Sequence, residues 1–413
     1  MGIIAGIYSK VNQSGLKENL GAMMQCQAHR DRSELVALAK PSIALGMANK
    51  HDSIFCSESE NSGAPVHSVS GNNGIHAFVD GIVLDVPTHR KTFESCGISI
   101  PVPLCSFIVA AAYEKWGLDF MSHLEGEFAC AIWDDSQKKL ILARDPYGHK
   151  PIHYFNDNRQ FVFSSEVKGV LAANVKREID LISLSDYLSL NGIPYPGTIF
   201  KNIYKVPPGS ILVFEKGEIR IKSYWTPEIT VNKSLAFDDA LEMLSGKIQS
   251  AVQKRMITER CCCFLSGGID SSAILSFATD IGKKVYAFTV AFEEAEKNEA
   301  EYAERMTKHV GAEHQLVTAK PDSFFDMLDT LVFHYDSPFT DTAAYPIYYA
   351  GKLASEFTDV ILTGEGPDQS MGGVDPPLFP NQNWLFQRMC KCGSQIALRL
   401  YDEPISRSHL KKT

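Results

Sequence analysis

Short apolar stretches, each broken off by turn-forming residues, run through the first half of the chain and predict β-strands. They lie at 3–9 (IIAGIYS), 75–84 (IHAFVDGIVL), 128–134 (FACAIWD), 139–145 (KLILARD) and 161–166 (FVFSSE). Asn72-Asn73-Gly74 and Asp134-Asp135 are among the breaks. Helices are expected at roughly 16–28 and at 104–116, the second ending at Trp116-Gly117. Strands that follow one another with few crossovers imply antiparallel sheets with helices laid outside.

The pattern then changes twice. GIPYPGTIF at 192–200 and KVPPGSILVF at 205–214 carry Pro194, Pro196, Pro207 and Pro208, which exclude a regular helix. From 236 onward helices alternate with single strands. Helices are expected at 236–256, 271–282, 299–311, 321–334 and 343–356, and strands at 261–266, 284–290, 314–319 and 358–364. Gly282 and Gly311 close two of the helices. That alternation implies a parallel sheet covered on both faces. The expected division is therefore a domain over 1–185, a connection over 186–235 that is partly strand, and an α/β domain over 236–413.

Composition adds exclusions. The 413 residues are 45% apolar and 22% charged, with a net charge of −9. An acidic chain is a poor non-specific nucleic-acid binder. No apolar run reaches the roughly 20 residues of a membrane span, and MGIIAGIYSK lacks the features of a secretory signal. The expected compartment is the cytoplasm. Consecutive Cys261, Cys262 and Cys263 read as small hydrophobes in a buried strand. Cys390 and Cys392 lack a second pair at zinc spacing and are read as structural or incidental.

The sharpest chemical signal is FLSGGIDSS at 264–272, set between a buried strand and a helix. Ligands of parallel α/β sheets bind where strands end and helices begin, and a helix N-terminus offers unpaired N–H groups and partial positive charge to phosphate. Gly267 and Gly268 allow close approach of the backbone, and Ser266, Ser271 and Ser272 add hydroxyls. Asp270 would repel phosphate by itself, so its place there calls for a bound Mg²⁺. The chain has no G-x-x-x-x-G-K-[ST] loop, which points away from γ-phosphoryl transfer. A second motif, LTGEGPDQSMGG at 362–373, brings Glu365 and Asp368 to the same edge of the expected sheet. Val290 ends a neighbouring strand at that edge; plain burial accounts for it equally well.

These segments, with LEGEFACAIWDDSQKKLILARDPYGHKPIHYF at 124–155, FSSEVKGVLA at 163–172, YLSLNGIPYPGTIFKNIYKVPPGSILVFEKG at 187–217 and YDSPFTD at 335–341, resemble the asparagine synthetase family over essentially the whole chain. The resemblance implies an N-terminal αββα sandwich of the Ntn-hydrolase type and a C-terminal parallel-sheet domain that binds an adenine nucleotide. It implies ATP cleavage between the α and β phosphates, a carboxylate activated as an acyl-adenylate, and ammonia or an amine as acceptor. By position, Leu265, Ser266, Val290, Thr363 and Gly364 match ATP-contacting residues. Asp270 and Asp368 match the Mg²⁺–pyrophosphate ligands, and Glu365 matches an active-site acid near the reacting acyl carbon.

The sequence also departs from the family. Glutamine hydrolysis there needs a cysteine directly after the initiator methionine, and position 2 here is Gly2. Cys26 is no substitute, since it lacks an α-amine. The HRGPD-like turn reads His29-Arg30-Asp31-Arg32-Ser33. The arginine expected to hold the glutamine carboxylate is missing from Met47-Ala48-Asn49. The NGEIYN-like segment has become Asp80-Gly81-Ile82-Val83-Leu84, and the acid expected near 98–103 is absent. Loss of glutaminase activity is the expectation. The recognisable pattern stops near Gly373, and Lys411 and Lys412 are poor matches for the lysine that relatives carry beside the adenylate. A C-terminal partner chain or a homodimer stays open on this reading. The competing reading is an ATP-binding subunit without catalysis.

Overall fold

The computed structural model describes residues 2–11, 15–31, 33, 35–49, 74–98, 105–258, 260–282, 284–292, 299–319, 323–341 and 343–368. The chain forms two compact units. One comprises Met1–Ile257, Phe292–Glu294 and Thr318–Leu353; the other comprises Thr258–Ala291, Ala295–Val317 and Ala354–Thr413.

The larger unit contains two antiparallel sheets. The six-stranded sheet has the order β2-β3-β1-β8-β7-β9, from Val36–Lys40, Ile43–Ala48, Ile3–Ser9, Gln160–Ser164, His153–Asn156 and Ile203–Lys205. The five-stranded sheet has the order β11-β10-β6-β5-β4, from Glu218–Ser223, Ser210–Glu215, Lys139–Arg144, Gly126–Asp134 and Ile75–Val83. Their facing side chains form one apolar layer: Ile4, Leu45 and Phe163 from the first sheet meet Phe78, Trp133 and Phe214 from the second. Strand residues of the opposite parity point outward and need covers. Helices α2 (Val86–Ser95) and α3 (Cys105–Trp116) cover the five-stranded sheet through Phe93, Ile108 and Val109 packed on Val79, Cys130 and Ile141. Helices α1 (Leu16–Gln25) and α4 (Val167–Ala172) cover the other through Leu20, Met23 and Val170 packed on Ile3, Ala44 and Val162. The result is the expected helix–sheet–sheet–helix sandwich.

The expected connection at 186–235 supplies β9, β10 and β11, and both sheets gain strands from it. Ahead of them lies α5 (Leu181–Leu190), with Asp180 capping its N-terminus by accepting from the Ser183 N–H at 2.9 Å. The same unit holds α6 (Phe237–Arg255), α9 (Ser323–Tyr335) and nearly all of α10 (Ala344–Ala354).

The smaller unit is built on a four-stranded sheet of order β14-β13-β12-β15, from Glu313–Ala319, Val285–Phe292, Cys261–Phe264 and Ile361–Leu362. β12 pairs in parallel with β13 on one side and with β15 on the other. Helices α7 (Ile269–Asp280) and α8 (Ala300–Val310) belong to it. Cys261, Cys262 and Cys263 are buried in β12, where burial pushes the Cys262 thiol up to about 11. They are reduced core residues, as their apolar setting implied. Among the described residues no helix is long and apolar enough to cross a membrane, and no cluster of three metal-ligating side chains occurs. Cys390, Cys392, Lys411, Lys412 and residues 369–373 of the second motif lie outside the described residues.

Candidate active site and the altered amidotransferase pocket

β12 is where strand order reverses, since its two neighbours come from distant parts of the sequence. Crevices at the carboxyl ends of such strands are the usual ligand sites of open parallel sheets. Leu265 to Gly268 connect β12 to α7. Leu265 is buried; its N–H donates to the Phe288 carbonyl at 2.9 Å, and its own carbonyl accepts from the Thr289 hydroxyl at 2.8 Å. Thr289 in turn lies 2.9 Å from Nε2 of His314 on β14. The beginning of the loop is thus tied to the end of β13, next to half-buried Val290. Sequence reasoning overlooked Thr289 and His314, because nothing in their spacing shows that β13 and β14 are neighbours.

Beyond Leu265 the loop bonds chiefly to itself. The Ser266 N–H donates to the Ser271 hydroxyl at 3.2 Å, the two hydroxyls are 3.1 Å apart, and the Gly268 N–H donates to the Ser266 hydroxyl at 3.2 Å. Gly267 has φ +87°, and a β-carbon there would meet the Glu299 carbonyl at 2.8 Å and Tyr302 at 2.9 Å. Only glycine fits both the conformation and the space. α7 begins with no side chain capping it, Gly268 being the N-cap, and Asp270 lies in its first turn. An uncapped helix start leaves N–H groups and a partial positive charge facing the loop.

The second motif reaches the same place. Gly364 follows β15, and a β-carbon on it would lie 2.7 Å from the Ser271 nitrogen and 3.0 Å from the Asp270 carbonyl carbon. The turn of Thr363, Gly364 and Glu365 therefore runs against the first turn of α7. Glu365 and Asp368 are exposed, and Asp270 and Ser272 are half-buried. The structure brings Leu265, Ser266, Gly267, Gly268, Asp270, Ser271, Ser272, Thr363 and Gly364 together, with Val290 on the adjoining strand. Carboxylates that reach solvent are the ligands magnesium uses when it keeps waters and bridges to phosphates, while the hydroxyls and bare N–H groups suit the phosphates themselves.

The larger unit holds a second polar site around Gly2. A β-carbon at Gly2 would lie 3.1 Å from the Asp80 Cα, 3.2 Å from Asp80 Oδ1 and 3.2 Å from the Asn49 side chain. Asp80 is fully buried on β4; its Oδ2 accepts from Arg30 Nη2 at 2.8 Å and from the Ser165 hydroxyl at 2.8 Å. Asn49 donates to the carbonyls of Val79 and Gly81, both at 3.0 Å. Glu166 stands beside Arg30, His29 and Lys168, with the Lys168 ammonium 2.7 Å from Glu166 Oε2. Burial pushes Glu166 up, but hydrogen bonds from His29 and Lys168 outweigh it and hold the carboxyl below its ordinary value. Cys26 is the C-cap of α1, and burial pushes its thiol up to about 11, which disfavours the thiolate at neutral pH.

The asparagine synthase family model matches residues 243–412, and the glutamine amidotransferase domain model matches residues 1–225. Among curated proteins, glutamine-hydrolysing asparagine synthetase 1 of Bacillus subtilis strain 168 is 32% identical over 288 residues, covering 69% of this chain and 45% of the relative. A putative glutamine-hydrolysing asparagine synthetase 2 of Methanocaldococcus jannaschii is 31% identical over 275 residues, covering 64% of this chain and 53% of the relative. The chain thus spans about half the length of the curated relatives it matches. With one model on each half of the chain, an amidotransferase-type sandwich and a parallel-sheet unit behind it, the chain belongs to the asparagine synthetase family.

Proposed function

We propose that this protein is an ATP-dependent, AMP-forming carboxylate–amine ligase that takes its nitrogen from free ammonia or a simple amine. The observation that carries the reading is the close seating of the Gly364 turn on the uncapped first turn of α7. It sets two motifs, far apart in sequence, at one strand edge. The bare N–H groups and the serine hydroxyls bind the phosphates of ATP, and the Leu265–Val290 edge receives the base. Asp270 and Asp368 would hold Mg²⁺, which neutralises charge on the pyrophosphate when bound. Glu365 is placed to orient the acyl carbon or to take a proton from the attacking amine. The carboxylate is aspartate or a similar small acid.

Glutamine hydrolysis is absent on this reading. Gly2 supplies no nucleophile, Asp80 occupies Arg30, and Met47-Ala48-Asn49 carries no arginine for a glutamine carboxylate. The modules are taken as 1–185, 186–235 and 236–413. A cytoplasmic setting belongs to the same proposal.

The test supplies ATP, Mg²⁺, aspartate and ammonium to the full chain and measures AMP, pyrophosphate and asparagine. Pyrophosphate release that depends on a carboxylate supports the ligase. ADP as the product, or ATP binding without turnover on any small acid, would overturn it. Glutamate release from glutamine in the same assay would overturn the loss of glutaminase.

A further inference from the structure

The loop from Leu265 to Gly268 is fastened at two places to the stretch of chain that forms α8 and β14. At one, a β-carbon on Gly267 would meet the Glu299 carbonyl at 2.8 Å and the Ala303 nitrogen at 3.1 Å, so the loop lies directly against the first turn of α8. At the other, Leu265 is joined through Thr289 to His314 on β14. α8 and β14 are consecutive elements. One short segment, distant from the loop in sequence, therefore sets it twice.

Proton counting fixes the direction of each bond in the second fastening. The Leu265 carbonyl can only accept, so the 2.8 Å contact spends the Thr289 hydroxyl proton on it. Thr289 is buried, and towards His314 Nε2, at 2.9 Å, its oxygen can then only accept. Nε2 must carry a hydrogen. Burial lowers the His314 pKa against the pull of Glu304, so the ring is neutral at neutral pH and Nδ1 is bare. The opposite tautomer would set lone pair against lone pair at Thr289. The chain of bonds matters because of where it ends. The Leu265 N–H bonds the Phe288 carbonyl, and the residues after it bond chiefly among themselves. Thr289 is also the neighbour of Val290, so the same bonds set the end of β13.

We propose that His314 is a positioning residue of this loop: it orients the Thr289 hydroxyl, which fixes the Leu265 carbonyl and with it the edge that receives the base. His314 itself neither touches the nucleotide nor transfers a proton. Its functional sense rests on the reading of the loop as an ATP site; the fastening of the loop does not.

Two measurements on the full chain separate these. Equilibrium binding of Mg·ATP reads the site, and hydrogen exchange of the amides at 264–268 without nucleotide reads the loop. A glutamine places its amide N–H where Nε2 stands, whereas an asparagine reaches only as far as Nδ1. His314→Gln is therefore expected to stay within about twofold of wild type, while His314→Asn and His314→Leu weaken ATP binding roughly fivefold, the worth of one hydrogen bond, and speed exchange. Thr289→Val leaves the buried Leu265 carbonyl without its donor and should weaken binding by roughly tenfold or more. Thr289→Ser keeps the hydroxyl and should behave as wild type. Thermal melts identify the variants that fold, and a general loosening of the unit would not separate glutamine from asparagine. Wild-type affinity and exchange in folded His314→Leu, no advantage of His314→Gln over His314→Asn, or faster exchange with unchanged ATP affinity would each overturn the proposal. Failure of the wild type to bind ATP counts against the ligase reading, and the order of exchange rates then decides the fastening by itself.

Discussion

At Asp270 a half-buried carboxylate sits in the first turn of an uncapped helix, where phosphate would otherwise be its rival for the helix start. Asp270→Ala is expected to leave the fold intact and to abolish Mg²⁺-dependent turnover. Removal of a ligand from a metal that stabilises transition-state charge costs several kcal/mol, on the order of 10²-fold or more in rate. Unchanged nucleotide affinity and turnover would reduce the loop to a structural turn. At Gly2 the question is reversed. Gly2→Cys restores a thiol, but beside a buried carboxylate 3.2 Å from the new β-carbon. A neighbouring negative charge raises a thiol pKa and disfavours the thiolate. The single variant is therefore expected to release no glutamate from glutamine; release at a steady rate would show that Asp80 does not block the chemistry.

Elements add constraints that no single residue carries. Gly364→Ala places a methyl 2.7 Å from the Ser271 nitrogen, so either the β15 turn or the start of α7 must move. Displacing a binding loop by about 1 Å can cost on the order of 10²-fold in rate. The expected result is a fall in ATP-dependent turnover with a near-native far-ultraviolet spectrum; full activity would mean that the two motifs need not touch. The turn after β6 offers a pH test. Asp145 is buried and accepts from the N–H groups of Tyr147, His149 and Lys150 and from the His149 ring. The hydrogen bond to Asp145 raises the His149 pKa. A raised histidine adds stability that is fully present below its ordinary value, about 6.5, and is lost as pH rises through the folded value. His149→Gln should therefore cost more stability at pH 5.5 than at pH 8.5 in denaturant titrations. The difference is expected to be small, because the ring is 42% exposed. Equal losses at both values would remove the ion pair from the account.

Across the larger unit, one charged cluster joins segments far apart in the chain. Lys168, at the start of α4, bonds Glu166 and lies 3.5 Å from Asp336 Oδ1, and its own N–H donates to Asp336 Oδ2 at 2.9 Å. It also lies 4.6 Å from the centre of the Phe333 ring, so the end of α9 is pinned to the sandwich. Burial pushes Asp336 above its ordinary value, against the pull of Lys168. Lys168→Met removes that pull and raises it further. A carboxyl raised on folding binds more protons in the native state, so stability falls as pH climbs from about 4 through the folded value. The variant should lose more stability than wild type between pH 4.5 and pH 6.5, and the amides ending α9 should exchange faster. An unchanged pH slope would show that Lys168 does not govern Asp336.

What the sequence determined by itself is local or linear. Five strands of the sandwich, the βα alternation beyond 236, the FLSGGIDSS loop and the missing nucleophile at Gly2 were legible, because each rests on neighbouring residues or on a motif read in order. Several elements escaped it. β2 and β3 are short, α2 carries a proline at its start, and α5 straddles the boundary expected at 185; their stability comes from packing rather than from their own pattern. Tertiary structure alone decided which distant residues meet. It seated Gly364 on α7, tied Leu265 through Thr289 to His314, and paired Arg30 with Asp80 across 50 positions. It also left Asp80 Oδ1 buried without a donor. Burial and partnership are properties of folded space: a sequence shows that a carboxylate is present, but only the packed chain decides whether water or an arginine faces it.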